Sequence, residues 1–242
     1  MKTGKSKSFL WKLSLVLFLV LAFVLAAISY AMNVQKGTPS FLSKYFFVLC
    51  GQGNCLQLGS LAIKDKKNED ALKYFGKACL GGDMKGCFNF GIVAEILKQN
   101  NHARAIFEYS CNQNHYNSCH NLAAYEIRST NKKEVEQGKK HYEISCEQNK
   151  HTIIGNLSCL NLASLYEKSK NYELALKYFA KVCDRGELQG CTNKGIILME
   201  QKKVAAALAV WGKACEEGSN ESCGNKATYL FNKKQDEKLG VK

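Results

Sequence analysis

This chain of 242 residues contains a single proline and twelve cysteines, and its formal net charge is +13. The scarcity of proline favours an all-helical chain. The positive charge suits an anionic partner or membrane headgroups, and equally a lysine-rich solvated exterior. No arginine-rich run or recognised nucleic-acid-binding motif is present, so we interpret the charge as a solvated surface and predict no nucleic-acid partner.

The N-terminus has the pattern of an export signal. Residues 1–12 are basic, and the stretch from Leu13 to Met32 has no charge and is long enough to cross a bilayer as a helix. The preceding lysines predict a cytoplasmic N-terminus and export of the rest. Ser29-Tyr30-Ala31 matches a signal peptidase site. Residues 1–32 are therefore predicted to be a signal peptide or an uncleaved membrane anchor, and residues 33–40 a linker.

Residues 41–234 consist of a repeat. Its reference stretch, Ala71 to Ala94, contains a Cys-x7-Cys pair, and 24 residues separate most successive pairs. A fixed period of about 32 residues with a fixed internal pattern indicates a stacked array of similar units. The segment from Phe41 to Leu49 is interpreted as a half-repeat cap. Residues 235–242 form a polar tail.

Each unit is predicted to be a helix hairpin. The first helix is expected to begin at the second cysteine of a pair, with a small residue four positions later that lets another helix approach closely. These small residues are Gly59, Gly91, Ala123, Ala163, Gly195 and Ala227. The second helix carries an aromatic residue four positions before the next cysteine. These aromatic residues are Phe46, Phe75, Phe107, Tyr142, Phe179 and Trp211, and we interpret them as core contacts rather than a cofactor site.

The cysteines could form disulfides or bind zinc. Structural zinc usually needs four clustered ligands, whereas each repeat offers two thiols and no regular histidine. Disulfides in an oxidising compartment are therefore favoured, with local pairing as the simplest connectivity. The predicted pairs are Cys50–Cys55, Cys79–Cys87, Cys111–Cys119, Cys146–Cys159, Cys183–Cys191 and Cys215–Cys223. No metal site and no cofactor are predicted.

One pair departs from the usual spacing. The segment from Asn149 to Ser158 is five residues longer than its counterparts and carries Ile153 and Ile154. We predict an enlarged loop here. Its apolar pair could contact a partner or pack back onto its own repeat.

A polar residue recurs two positions after the second cysteine. The set comprises Gln57, Asn89, Asn121, Asn161, Asn193 and Asn225, and we call these the ladder residues. First helices are expected to line a concave surface, where an amide can donate to and accept from an extended peptide or a glycan. The alternative is that each amide bonds across its own helix–helix contact. The ladder residues are the predicted ligand site.

These motifs resemble those of a known group. Ala71 to Cys79 and Gly86 to Gly91 look like the two halves of the repeat of the Helicobacter cysteine-rich proteins, which is Sel1-like and related to tetratricopeptide repeats. The resemblance implies a right-handed α/α solenoid of about six disulfide-linked hairpins. It also implies export from a bacterial cytoplasm to the periplasm, the exterior or the inner-membrane surface. One departure is that the turns here are shorter than the family's GxGVxxD form.

The same resemblance implies a β-lactamase or penicillin-binding activity. Such chemistry needs Ser-x-x-Lys, a Ser-Asp-Asn-like element and Lys-Thr-Gly around one pocket. Ser129 to Lys132 supplies the first in a predicted turn, Lys2-Thr3-Gly4 lies before the apolar segment, and Ser-Asp-Asn does not occur. We therefore assign no catalytic residue. The predicted function is a scaffold that binds a protein, peptide or cell-wall-derived ligand, and the alternative is binding or hydrolysis of a β-lactam.

Overall fold

The computed structural model describes residues 16, 18–24, 38–45, 48–50 and 54–239. All regular structure in these ranges is helical. Of the predicted signal or anchor segment, only residues 16 and 18–24 are described, and the rest lies outside the described ranges. Within the described ranges, no helix combines the length and the apolar character needed to span a bilayer.

The chain forms two compact units, residues 1–113 and 114–242. In the first unit, a 3₁₀ helix (Ser40–Tyr45) precedes α1 (Cys55–Lys64), α2 (Asn68–Leu80), α3 (Met84–Ile96) and α4 (Asn100–Asn112). The second unit contains α5 (Tyr116–Glu126), α6 (Lys132–Gln148), α7 (Ile153–Lys168), α8 (Tyr172–Asp184), α9 (Leu188–Glu200), α10 (Val204–Glu216) and α11 (Asn220–Leu239). Within each unit, helices that follow one another in the chain pack together. The predicted all-α repeat array is confirmed.

Most helices end in the same hydrogen-bonded turn. After α3, the Lys98 amide donates to the Glu95 carbonyl at 2.9 Å, and the Gln99 amide donates to the Ala94 carbonyl at 2.7 Å. This is a Schellman motif, whose central residue has a left-handed conformation. Lysines occupy that position within hairpins (Lys66, Lys98, Lys170, Lys202), and glycines occupy it after three second helices (Gly82, Gly186, Gly218). Asn114 has the left-handed conformation after α4. The identical turn keeps the hairpin geometry constant from repeat to repeat.

The first helix of a hairpin begins earlier than the sequence predicts. The prediction places its start at the second cysteine, which holds for α1, but α3 begins at Met84, three residues before Cys87. Asp83 caps α3 by accepting hydrogen bonds from the amides of Lys85 and Gly86. Because of this cap, Cys87 lies inside α3, so the disulfide joins two helices rather than closing a loop between them.

The predicted enlarged loop at residues 149–158 is wrong. Helix α7 begins at Ile153, because the Thr152 hydroxyl accepts a hydrogen bond from the Gly155 amide at 3.0 Å and caps the helix. The additional residues therefore mostly extend a helix. The two isoleucines differ in exposure. Ile153 is 78% exposed and does not pack back onto its own repeat, whereas Ile154 is partly buried.

The core of each hairpin is a contact between a small residue and an aromatic ring. A Cβ atom added at Gly91 would lie 2.4 Å from the Phe107 ring, and one added at Gly59 would lie 2.4 Å from the Phe75 ring. Gly195 has the same relation to Trp211. This confirms the prediction that the small residue allows close helix approach.

The cysteines pair locally. The Cα atoms are 4.5 Å apart in Cys79–Cys87, 4.6 Å in Cys183–Cys191, 4.8 Å in Cys215–Cys223, 4.9 Å in Cys146–Cys159 and 5.2 Å in Cys50–Cys55. Cys111 and Cys119 are also disulfide-bonded. Small residues precede the paired cysteines, as where Gly86 lies against Ala78. They let the two helices approach to disulfide distance.

The small-residue contact predicts opposite effects for two glycine-to-alanine substitutions. Gly91→Ala should lower the free energy of unfolding by about 1–3 kcal/mol, because the new methyl group collides with the buried Phe107 ring. The control Gly224→Ala, in α11, meets no atom within 4 Å and should raise it by about 0.5–1 kcal/mol through helix propensity. Thermal unfolding followed by circular dichroism measures both. Equal stability of the two variants would contradict the packing argument.

The disulfides predict a defined stability loss. Replacing Cys183 and Cys191 together by alanine should lower the free energy of unfolding by about 2.5 kcal/mol, because the bridge, with a sequence separation of 8, restricts the unfolded chain. Urea denaturation of the oxidised protein measures this loss. The same measurement in reductant should remove the difference between wild type and variant, and a difference that persists would show that the cost arises from packing.

Candidate functional site

Three surface grooves follow the repeat. In the first unit, a groove with a cavity of about 250 Å³ lies between α1 and α3. Phe75 of α2 contributes to its floor, and Ile63, Asn89 and Ile96 are among its walls. Apart from Asn89 and Ser60, the lining is apolar. This groove therefore suits an apolar side chain next to a hydrogen-bonding amide.

The second unit has a groove between α5 and α7, with a cavity of about 350 Å³. Tyr142 of α6 lies at its floor, and Asn161 lines it from α7. Arg128 and Lys168 add two exposed positive charges, and His120 completes the polar wall. In contrast to the groove in the first unit, this one is basic.

A further groove in the second unit lies between α9 and α11 and has a cavity of about 400 Å³. Trp211 of α10 forms part of its floor, and Ile196, Met199 and Tyr229 provide apolar surface. Asn225 lines it from α11. The groove is mainly apolar and aromatic.

The three grooves are built from the same repeat positions. Each contains the aromatic residue four positions before a first cysteine and the ladder asparagine two positions after a second cysteine. Each also contains a large apolar residue eight positions after the preceding second cysteine, namely Ile63, Ile127 or Met199. The aromatic ring that packs beneath the small residue is therefore also the floor of a groove.

The structure places all ladder residues on first helices. Asn89, Asn161 and Asn225 line the grooves, and Gln57, Asn121 and Asn193 occupy the same register on α1, α5 and α9. Asn161 also hydrogen-bonds the Tyr142 side chain. Asn161 therefore bonds across its own helix contact, as the second alternative predicts, and it is also exposed.

Sequence reasoning missed the two cations of the α5–α7 groove. Arg128 and Lys168 each lie nine positions after a second cysteine. This common spacing could have indicated that the two cations lie on the same face of successive repeats. Lysine is so frequent in this chain that the spacing alone is not distinctive. Their charges become informative only once Tyr142, from a third helix, is seen to complete the groove.

Burial shifts the pKa values of two side chains in the α5–α7 groove. Burial lowers the pKa of His120, which favours its neutral form. Its Nδ1 atom lies 2.8 Å from the Ser158 hydroxyl, and its ring meets the Tyr142 ring edge-on at 5.4 Å. Burial also raises the pKa of Tyr142, against the opposing effects of the Asn161 hydrogen bond and the Arg128 charge. The cationic character of the groove therefore comes from Arg128 and Lys168.

Two carboxylates interact between α7 and α9. Burial raises the pKa of Glu167, and repulsion from Glu200 raises it further, while Lys168 partly opposes the change. The Tyr172 side chain hydrogen-bonds Glu200, and this bond is the main cause of the raised pKa of Tyr172. Glu200 also lines the α9–α11 groove, so negative charge adjoins the apolar groove.

The Ser-x-x-Lys sequence forms a helix start. The Ser129 hydroxyl accepts a hydrogen bond from the Asn131 amide at 3.1 Å, and the Asn131 side chain accepts one from the Lys133 amide at 2.9 Å. The Asn131 interaction caps α6, and the Ser129 interaction closes the turn that precedes it. Lys2-Thr3-Gly4 lies outside the described residues. Within the described ranges, no three histidine, cysteine or acidic side chains are grouped as metal ligands would be.

Comparison with known proteins agrees with this architecture. The tetratricopeptide repeat family model matches residues 158–185. The c5321 protective antigen of uropathogenic Escherichia coli, which has an SLR fold, superposes with a TM-score of 0.61 at 20% identity, covering 74% of this chain and 41% of that one. A Sel1 repeat protein from Oxalobacter formigenes gives a TM-score of 0.58 at 16% identity over 78% of this chain and 86% of its own. No curated protein matches the sequence.

MamA residues 41–end from Desulfovibrio magneticus give a TM-score of 0.50 at 16% identity, covering 69% of this chain and 96% of that one. At these identities the comparisons define a class of fold, the Sel1-like, tetratricopeptide-related helical repeat. This chain spans less than half the length of the c5321 antigen.

The carboxylate pair predicts a pH-dependent stability difference. Because the folded-state pKa of Glu167 is raised, ionisation of its carboxyl group opposes folding at neutral pH. Glu167→Gln should therefore unfold at a higher temperature than wild type at pH 7.5. The difference should disappear below the ordinary glutamate value of 4.5, where the carboxyl is protonated in both states. The exposed Glu173, in the first turn of α8, serves as the control, and stabilisation by Glu173→Gln as well would contradict a local cause.

Proposed function

We propose that this protein is an exported scaffold that binds extended segments of another polypeptide at the ladder residues of each unit. The observation that carries the proposal is the recurrence of one construction in three grooves. In each, a ladder asparagine lies beside an aromatic floor contributed by a neighbouring helix. Within one unit, successive first helices repeat this construction, which suits an extended ligand whose chemistry also repeats.

An extended peptide has the chemistry that these grooves require. Its backbone offers alternating donors and acceptors, which the amides of Asn89, Asn161 and Asn225 can satisfy in either sense. Its side chains can enter the apolar cavities beside each amide, where burial of apolar surface adds affinity. A cell-wall fragment or a β-lactam would use the amides but would leave most of the apolar wall at Ile63, Ile92 and Ile96 without a partner.

Export rests on two features. All twelve cysteines are in disulfides, which persist in oxidising compartments outside the bacterial cytoplasm. The apolar stretch of residues 13–32 follows a basic N-terminus, as in a signal peptide or membrane anchor. We propose on these grounds an extracytoplasmic protein with a cleaved or anchoring segment at residues 1–32, and membership of the Helicobacter-type cysteine-rich proteins.

Substitution of the groove amides tests the binding proposal. Wild-type oxidised protein should select binders from a phage-displayed library of random twelve-residue peptides. A variant with Asn89→Ala, Asn161→Ala and Asn225→Ala should bind each synthesised winner at least tenfold more weakly, because each lost hydrogen bond costs about 1 kcal/mol. Calorimetric titration measures the affinities.

A control separates binding from folding. Asn101→Ala changes an exposed asparagine at the start of α4 and should leave both affinity and melting temperature unchanged. The triple variant should melt close to wild type, apart from the cost of the Asn161–Tyr142 hydrogen bond. If the triple variant binds every selected peptide as tightly as wild type does, the ladder residues are not the binding site.

A further inference from the structure

We infer that the second unit recognises a peptide with two anchors, an acidic side chain in the α5–α7 groove and an aromatic or large apolar side chain in the α9–α11 groove. This inference rests on the proposed function and specifies its ligand. The juxtaposition that carries it is a basic groove and an aromatic groove on the same register of first helices within one unit.

The α5–α7 groove has the chemistry of a carboxylate site. Arg128 lies two residues after the end of α5, Lys168 is the last residue of α7, and both line the cavity. Within the described part of the chain, neither forms an ion pair. The Asn161 amide lies in the same cavity. A carboxylate there could accept charge-assisted hydrogen bonds from both cations, which are about twice as strong as neutral ones.

The α9–α11 groove has the chemistry of an apolar anchor site. Trp211 donates its indole N–H to the Thr192 carbonyl at 3.0 Å, which fixes the ring. Ile196, Met199 and Tyr229 surround the cavity of about 400 Å³. That volume accommodates one aromatic side chain, for which offset or edge contacts with Trp211 and Tyr229 add to the burial of apolar area.

The carboxylates between the grooves set the direction of the peptide. Glu200 borders the aromatic groove. Burial raises the pKa of Glu167, and the nearby charge of Glu200 raises it further. An acidic side chain placed in the aromatic groove would meet this negative charge, whereas in the α5–α7 groove it meets Arg128 and Lys168. Repulsion at one groove and attraction at the other together favour a single orientation.

The distance between the grooves sets the length of the peptide. The two grooves are two hairpins apart, and a stacking distance of about 10 Å per hairpin gives a separation of about 20 Å. An extended chain covers this distance in about six residues. The two anchors should therefore lie about six residues apart.

Synthetic peptides test the inference directly. A series with an acetylated N-terminus and an amidated C-terminus, which removes terminal charge, carries one aspartate and one tryptophan separated by two to ten Ser-Ala spacer residues. Calorimetry with the full oxidised protein should show tightest binding when the anchors are about six residues apart, which corresponds to about five spacer residues. Replacing the aspartate by asparagine should weaken binding about tenfold at low salt and little in 1 M salt.

Variants of the protein identify the groups responsible. Arg128→Gln combined with Lys168→Gln should abolish the preference for aspartate over asparagine. Lys140→Gln, an exposed lysine of α6, is the matched control and should preserve the preference. Tyr229→Ala should weaken binding of the tryptophan peptide about tenfold and have little effect on its alanine counterpart.

The outcomes separate this inference from the proposed function. Equal affinity for the aspartate and asparagine peptides, or affinity independent of spacing, would overturn the two-anchor inference and leave peptide binding intact. If neither this series nor peptides selected from the random library bind the oxidised protein, the proposed function and the inference both fail.

Discussion

The contact between a small residue in the first helix of a hairpin and an aromatic ring in the second helix is the constraint on which this structure depends. Phe107 lies so close to Gly91 that a Cβ atom there would be 2.4 Å from the ring, and Trp211 has the same relation to Gly195. Such closeness sets the distance between first and second helices. Phe75, Tyr142 and Trp211, which occupy this aromatic position, also form the floors of the three grooves. The interaction that stabilises these hairpins therefore also shapes their surface.

The disulfides act on the other helix pairs, because they join the second helix of one hairpin to the first helix of the next. Cys79–Cys87 and Cys183–Cys191 each join the last turn of one helix to the first turn of the next, and Gly86 and Gly190 permit this approach. The repeat with the longer Cys146–Cys159 spacing has additional polar contacts around its bridge. Ser158 lies 2.8 Å from Ser145, and Arg185 donates to the Cys146 carbonyl at 3.0 Å and to Asn156 at 3.2 Å. Buried polar groups that are satisfied in this way impose a definite arrangement.

The grooves share one construction but differ in charge. The α1–α3 groove is apolar, the α5–α7 groove is basic, and the α9–α11 groove is aromatic with an acidic border. The positions that build the core are constant, because every hairpin must pack against its neighbours. The positions nine after the second cysteine carry Arg128, Lys168 and Glu200 and are free of that requirement. A repeat fold can therefore hold its geometry while the specificity of each groove varies.

The amino-acid sequence alone determined the repeat, the pairing of cysteines, the aromatic and small positions and the register of the ladder residues. All of these are local patterns, which periodicity within one or two helices reveals. Only the tertiary structure decided where α3 and α7 begin, because the capping hydrogen bonds of Asp83 and Thr152 compete with other possible starts. Only the tertiary structure also joined Arg128, Tyr142 and Lys168 in one groove, because these residues come from three segments of the chain. Their proximity arises from helix packing, which no spacing along the sequence specifies.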